Sequence, residues 1–230
     1  MPIPPESWQE LARGGSARSN LKAMTSPADA IIDLYQRHAA IYDGLRGKTL
    51  FERPWLDRFC TLLAPGATIL DIGCGTAEPI ARHLIEAGHA VTGIDSAPAM
   101  IAQCRARFPA SGWHVADMRR LALGRRFSGL IAWDSFFHLT QDDQRAMFPV
   151  FASHATPDAA LMFTSGPAHG EAIGRFEGEP LYHASLDPAE YCALLAENGF
   201  SVVAHVAEDE GCGGHTIWLA RRDEAAQDAP

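Results

Sequence analysis

The sequence predicts an α/β fold: a doubly wound, mostly parallel seven-stranded sheet with helices on both faces and an antiparallel last strand. Three observations predict it. Strand-like and helix-like segments alternate between residues 27 and 221, the pattern of a parallel sheet covered on both sides. Four of the strand-like segments end in an acid, at Asp71, Asp95, Asp117 and Asp134. A glycine-spaced turn, Gly73-Cys74-Gly75, joins the first strand to the helix that follows.

Taken in order, Pro27 opens a helix running to about Tyr42, with Ile31, Leu34, Tyr35, His38 and Ile41 at helical spacing on one face. Pro54 opens a second, ending near Leu63 before the Pro65-Gly66 turn. Strand one covers Thr68 to Asp71, and the helix after the glycine turn runs to about Ala87, stopped by Gly88. Strand two, Ala90 to Ile94, ends in Asp95, and a helix follows from Pro98 to about Phe108. Strand three is Trp113 to Ala116 and strand four Gly129 to Trp133. A helix over Asp142 to His154 precedes strand five, Ala159 to Thr164. Residues 166–186 read as a Gly/Pro/His-rich insertion. Asp187 then caps a helix with Pro188 at its first position, ending at Asn198-Gly199. Two consecutive strands, Phe200 to Val206 and His215 to Arg221, close the sheet as a hairpin.

Composition bounds the function. A chain of 230 residues, 47% hydrophobic and 20% charged, fits one globular domain with a full α/β core. The formal charge of -9 argues against a nucleic-acid partner, since phosphate affinity comes from Lys and Arg. No apolar run approaches the ~18 residues of a membrane span. The five cysteines are scattered, with no Cys-x-x-Cys pair, and read as reduced thiols of a cytoplasmic protein. Residues 1–26, rich in Pro, Gly, Ser and Arg, read as a flexible extension, with Met24 a candidate translation start. Residues 222–230 read as a frayed tail.

The turn after strand one carries the most information. Glycine lets backbone approach a ligand closely, because it lacks Cβ and takes positive φ freely. Asp95, twenty residues after Gly75, has the spacing at which a second-strand acid reaches a ribose. A dinucleotide fingerprint needs glycine or alanine at the sixth position, counted here from Gly73, and that position is Glu78. A carboxylate there repels a pyrophosphate where a helix N-terminus should attract it. The small residues fall instead at the first, third and fifth positions: Gly73, Gly75 and Ala77.

On these residues the chain resembles the class I S-adenosylmethionine (SAM)-dependent methyltransferases of small-molecule type, whose Asp-x-Gly-x-Gly-x-Gly motif matches from Asp71, with Ala77 in the last glycine slot. The Rossmann-like fold and antiparallel seventh strand of that family extend the resemblance over about 27–221. It implies SAM as cofactor, with S-adenosylhomocysteine (SAH) as product, and a small-molecule methyl acceptor as partner. By resemblance, Asp95 holds the ribose hydroxyls, Asp117 accepts from the adenine amino group beside Met118, and Asp71 sits near the methionine amino end. Gly73 and Gly75 lie against the ligand, and Cys74, Ser96 and Trp133 complete the cofactor side.

The segment Trp133 to His138 falls where methyl group and acceptor meet. It lacks the Asn/Asp-Pro-Pro-aromatic motif of the DNA amino-methyltransferases, and the chain has no Pro-Cys pair for cytosine attack. A small acceptor fits best, although protein substrates survive that argument. His138 is the general-base candidate, the alternative being that it packs the following turn. Tyr35 and Tyr42 lie on the N-terminal helix, a lid in many small-molecule members, and Tyr35 is the second catalytic candidate. Asp134, Phe137, Arg46, His169 and Tyr182 are candidates for reading the acceptor. No Cys/His spacing of a metal site is present, so no metal is expected. A nicotinamide-dependent oxidoreductase and a SAM-binding protein without catalysis remain as rival readings.

Overall fold

The structure, a computed structural model, describes residues 27–223. The proposed extension 1–26 and the tail from residue 224 lie outside the described residues. In chain order the elements are α1 (Pro27–Leu45), α2 (Arg53–Thr61), β1 (Thr68–Ile72), α3 (Ile80–Glu86), β2 (Ala90–Asp95), α4 (Pro98–Arg107), β3 (Gly112–Val115) and β4 (Phe127–Ala132). There follow α5 (Gln141–His154), β5 (Ala155–Ser165), β6 (Gly170–Phe176), β7 (Glu179–Ser185), α6 (Pro188–Glu197), β8 (Phe200–Asp209) and β9 (His215–Arg222).

Seven strands form one sheet in the order β3-β2-β1-β4-β5-β9-β8. Pairings among β1 to β5 are parallel, whereas β9 runs antiparallel to both β5 and β8. The expected closing hairpin is therefore present, with the last strand inserted between its partner and β5. Strand order reverses between β1 and β4, both paired through Ile69 to Asp71, and this is where an open sheet leaves a crevice.

The inner parallel strands β1, β2, β4 and β5 are buried on both faces over their apolar runs, whereas the edge strand β3 exposes His114 and Val115. One face packs Leu70, Leu130, Phe163 and Trp218 against Phe148 and Phe151 of α5 and Tyr191 of α6. The other packs Ile69, Ile131 and Met162 against Trp55 and Phe59 of α2 and Leu84 of α3. Gly129 is required here, since a Cβ would lie 2.7 Å from the Phe59 ring.

The structure adds detail to one expectation and corrects another. The 166–186 insertion is a regular β6–β7 hairpin, a separate two-stranded sheet with Ala172, Gly174 and Phe176 inward. Ile41 does not share the buried face of α1. The helix bends at His38 (φ −109°, ψ 16°), which turns Ile41 out to 42% exposure. Before the bend, Ile31 and Leu34 pack on Leu181 and Ala184 of β7; after it, Ala39 packs near Ala97 and Met100. The lid thus spans the hairpin and the sheet edge, roofing the crevice. Among the described residues no helix is long and apolar enough to cross a membrane.

Candidate active site

The chain leaves β1 through Gly73 (φ +78°), Gly75 (φ +52°) and Ala77 (φ +65°), three residues in the left-handed region. A Cβ on Gly73 would lie 2.3 Å from Ser135 Cβ, so backbone crosses backbone at the switch point. Ala77 accepts the conformation that explains why the matching motif carries glycine there, at a cost of about 1–2 kcal/mol. Ser135, which sequence reasoning missed, donates from its hydroxyl to the Ile72 carbonyl (2.7 Å) and ties the β1 and β4 ends together.

A cleft of about 670 Å³ lies over these strand ends, beneath α1, and a second cavity of about 310 Å³ adjoins it. Asp95, Ser96, Asp117, Met118, Tyr35 and His138 line the larger. Asp71, Cys74, Arg46 and Trp133 line the smaller. Tyr42, Gly73 and Asp134 line both.

Asp95 accepts from the backbone N–H groups of Gly75 (3.0 Å) and Ala97 (2.8 Å), which fixes its carboxylate over the turn. Burial pushes its carboxyl up to about 6 against the effect of those donors. Burial, with Asp95 nearby, pushes Asp71 up to about 7. Asp117 caps its own short turn, accepting from Arg119 N–H (3.0 Å), and both its oxygens also accept from the Arg119 guanidinium. An adenine amino group would share that carboxylate with Arg119.

Farther along the larger cleft, the His138 ring lies between a backbone carbonyl and a phenol. Its Nδ1 donates to the Tyr182 carbonyl (2.8 Å), so Nε2 carries the lone pair and accepts from the Tyr35 hydroxyl (3.0 Å). Burial lowers His138 to about 4 and raises the Tyr35 phenol, which keeps both neutral near pH 7. Asp134, with φ +50°, donates its N–H to Thr164 Oγ1 (2.9 Å) and accepts at Oδ1 from His215 Nε2 (2.9 Å).

Not every candidate arrives where expected. Arg46 pairs with the fully buried Glu52 and lines the smaller cavity. Tyr182 serves through its carbonyl, since its hydroxyl donates to Glu171 (2.8 Å). Phe137 meets the His138 ring edge-on and lies tilted against His183 (ring centroids 4.9 and 5.2 Å), and it lines neither cavity. His169 is exposed and meets Gln141 (3.3 Å), at the edge of the hairpin. Sequence reasoning missed His215 as a partner of Asp134; its place after the Gly213-Gly214 turn is the one local signal.

The residues fit SAM on the chain's own features. A glycine cradle excludes any Cβ, a fixed carboxylate stands at ribose spacing, and no Lys or Arg lies on the turn for a pyrophosphate. The buried Trp133 indole N–H has no partner among the described residues and lines the smaller cavity, a donor left for a ligand.

The chain is similar to known proteins in sequence and in fold. Residues 69–158, from β1 into β5, match the family described as a methyltransferase domain. The chain is 37% identical over 98 residues to the dTDP-3-amino-3,6-dideoxy-alpha-D-glucopyranose N,N-dimethyltransferase of Streptomyces fradiae, covering 42% of this chain and 38% of that one. It is 30% identical over 147 residues to the dTDP-3-amino-3,4,6-trideoxy-alpha-D-glucopyranose N,N-dimethyltransferase of Streptomyces venezuelae, covering 59% and 61%. The matches thus span less than two thirds of either relative. In structure it is similar to a SAM-bound amino pentose methyltransferase from Micromonospora echinaspora, with TM-score 0.62, 20% identity, and coverage of 90% of this chain and 100% of that one.

The fold is that of the class I SAM-dependent methyltransferases. Within the chain, residues 69–158 carry the methyltransferase domain itself, and SAM is the cofactor of that class. The antiparallel β9 and this match replace the nicotinamide reading.

Proposed function

We propose that the protein transfers the methyl group of SAM to an amino nitrogen of a small acceptor, of the amino-sugar kind on which the two curated relatives act. The observation that supports it most is the convergence of Asp95, Asp134, Tyr35 and His138 on one cleft over the glycine turn. When bound, SAM supplies a methyl group on a sulfonium, open to in-line displacement by a nucleophile.

The chain's residues divide the work along the cleft. Asp95 receives the ribose hydroxyls, and Asp117 and Met118 border the adenine. The Arg46 guanidinium and the neutral Trp133 N–H offer donors to the methionine carboxylate, with Asp71 opposite for the ammonium. The α1 lid and the β6–β7 hairpin wall the acceptor side, so that residues 27–221 act as one unit with 166–186 as its acceptor-side insertion. Five unpaired thiols support a reduced, cytoplasmic setting.

Tyr35 and His138 act as an orienting pair. The Tyr35 proton points to His138, so a phenolic lone pair is left for an acceptor N–H. His138, held near 4, takes up a proton poorly, and an amine needs no base for its attack. Alignment is worth effective molarities of about 10⁵–10⁸ M, against about 10²–10⁴ from general-base catalysis, so positioning outweighs proton removal.

Incubating the full chain with labelled SAM and a dTDP-3-amino-3,6-dideoxyglucose, beside a panel of other amines, tests this reading. A methylated amine with matching SAH release supports it. SAH binding without methylation of any amine would leave a cofactor-binding protein instead.

A further inference from the structure

Asp134 is held more tightly than an acceptor contact requires. Its backbone takes φ +50°, its N–H is fixed by Thr164, and its Oδ1 is fixed by His215. Left-handed backbone at a residue with a Cβ is retained where surrounding structure over-determines it, commonly at sites of function. Asp134 also stands at the one place shared by the two cavities, with Tyr42 and Gly73. A ligand whose nucleoside lies in the larger cavity and whose amino-acid end lies in the smaller must pass its connecting sulfonium through that junction.

The partner of Asp134 is unusual in turn. His215 Nδ1 meets the Cys212 carbonyl at 2.7 Å while Nε2 meets the Asp134 carboxylate. Both ring nitrogens face oxygen acceptors, so both carry protons and the ring is an imidazolium. It lies between the rings of Phe51 (5.5 Å) and Trp133 (5.4 Å), which bury it without competing for its donors. Glu52, Cys212 and Asp209, the cross-strand partner of His215, are the other titratable groups near it. Arg46, His138, His183 and the Tyr35 and Tyr42 phenols face Asp134.

We propose that His215 is a positioning residue: as a fixed cation it holds Asp134 ionised and oriented, with its second oxygen left as the counter-charge to the SAM sulfonium. This rests on the SAM reading above. The arrangement suits methyl transfer to an amine, because the reacting group carries one positive charge before and after, moving from sulfur to nitrogen. A carboxylate beside that path faces the same net charge throughout. Once SAH is formed and the ammonium product has left, the attraction to the bound cofactor is gone, which favours its release.

The test compares SAM, which is charged at sulfur, with SAH, which is not, by calorimetry on the full chain. Asp134→Asn and His215→Ala should each weaken SAM at least fivefold and leave SAH within twofold of wild type. His215→Gln, which keeps a donor to Asp134, should return SAM affinity at least halfway to wild type on a logarithmic scale. Parallel loss of SAM and SAH in both variants would mean a structural role only, and unchanged SAM affinity in Asp134→Asn would remove the counter-charge; either overturns the proposal. If His215→Ala does not fold, a wild-type pH series decides in its place. A SAM-over-SAH preference constant from pH 6 to 8 and at least threefold lower at pH 10 supports it, and one unchanged at pH 10 overturns it. Failure of wild type to bind either molecule would instead sink the SAM reading itself.

Discussion

The Tyr35 hydroxyl donates to His138 Nε2 at 3.0 Å while His138 Nδ1 is committed to the Tyr182 carbonyl, so the histidine reaches an acceptor only through the tyrosine. Bond direction, rather than proximity, sets their order. Tyr35→Phe should therefore slow methylation of an amine about tenfold, and His138→Ala only a few-fold, in initial rates at saturating SAM. A loss of about 10²–10⁴ on His138→Ala would restore it as a general base.

Asp95 is fixed by two backbone donors before any ligand arrives. Hydrogen bonds to a charged group are worth roughly 1.5–3 kcal/mol, so Asp95→Ala should weaken SAH and SAM at least tenfold. Calorimetry reads this directly, and unchanged affinity would remove Asp95 from the site.

The raised acids give cofactor binding a proton linkage. Asp95 and Asp71, at about 6 and about 7, hold protons in the free protein that a cationic ligand with hydroxyl donors displaces. SAM affinity should fall as pH drops through 7 to 6, and binding near pH 6.5 should release protons. Titrations in two buffers of different ionisation enthalpy measure the release. Equal heats in both would contradict it.

His215 titrates at about 9: burial favours the neutral ring, and Asp134 outweighs that effect. A raised folded value stabilises fully below the unfolded value of about 6.5 and is lost as pH rises through 9. Wild-type thermal stability should thus decline from pH 7 to 10, and Asp134→Asn should remove most of that slope. Equal slopes in the two proteins would break the pairing.

Gly73 and Gly66 both have positive φ, yet only Gly73 has a neighbour in the way. Alanine at either strains the backbone, but at Gly73 it also meets Ser135. Gly73→Ala should be the more destabilising by about 1–3 kcal/mol in urea unfolding, the typical cost of overpacking. Equal losses would show that the crossing at Ser135 can relax.

Much of this was legible in the sequence because it is local. Strand ends, the glycine turn and the Asp187 cap follow from residues within a few positions of one another, and the cleft lies at the strand ends as expected. What stayed hidden depends on distant pairing. His215 meets Asp134 across 81 positions, and nothing near either residue announces it. The β6–β7 hairpin escaped because two of the three inward residues of β6, Ala172 and Gly174, are small while Ile173 points outward at 56% exposure, which masks the usual hydrophobic alternation. Arg46 looked free to read an acceptor, until folding buried Glu52 against it.

The central claim is that this cleft takes a phosphate-free adenosine carrying an amino-acid tail. Titrating the full chain with SAH in a calorimeter tests it most directly. A saturable one-to-one isotherm with micromolar affinity is predicted. No heat and no thermal stabilisation at millimolar SAH would contradict the account.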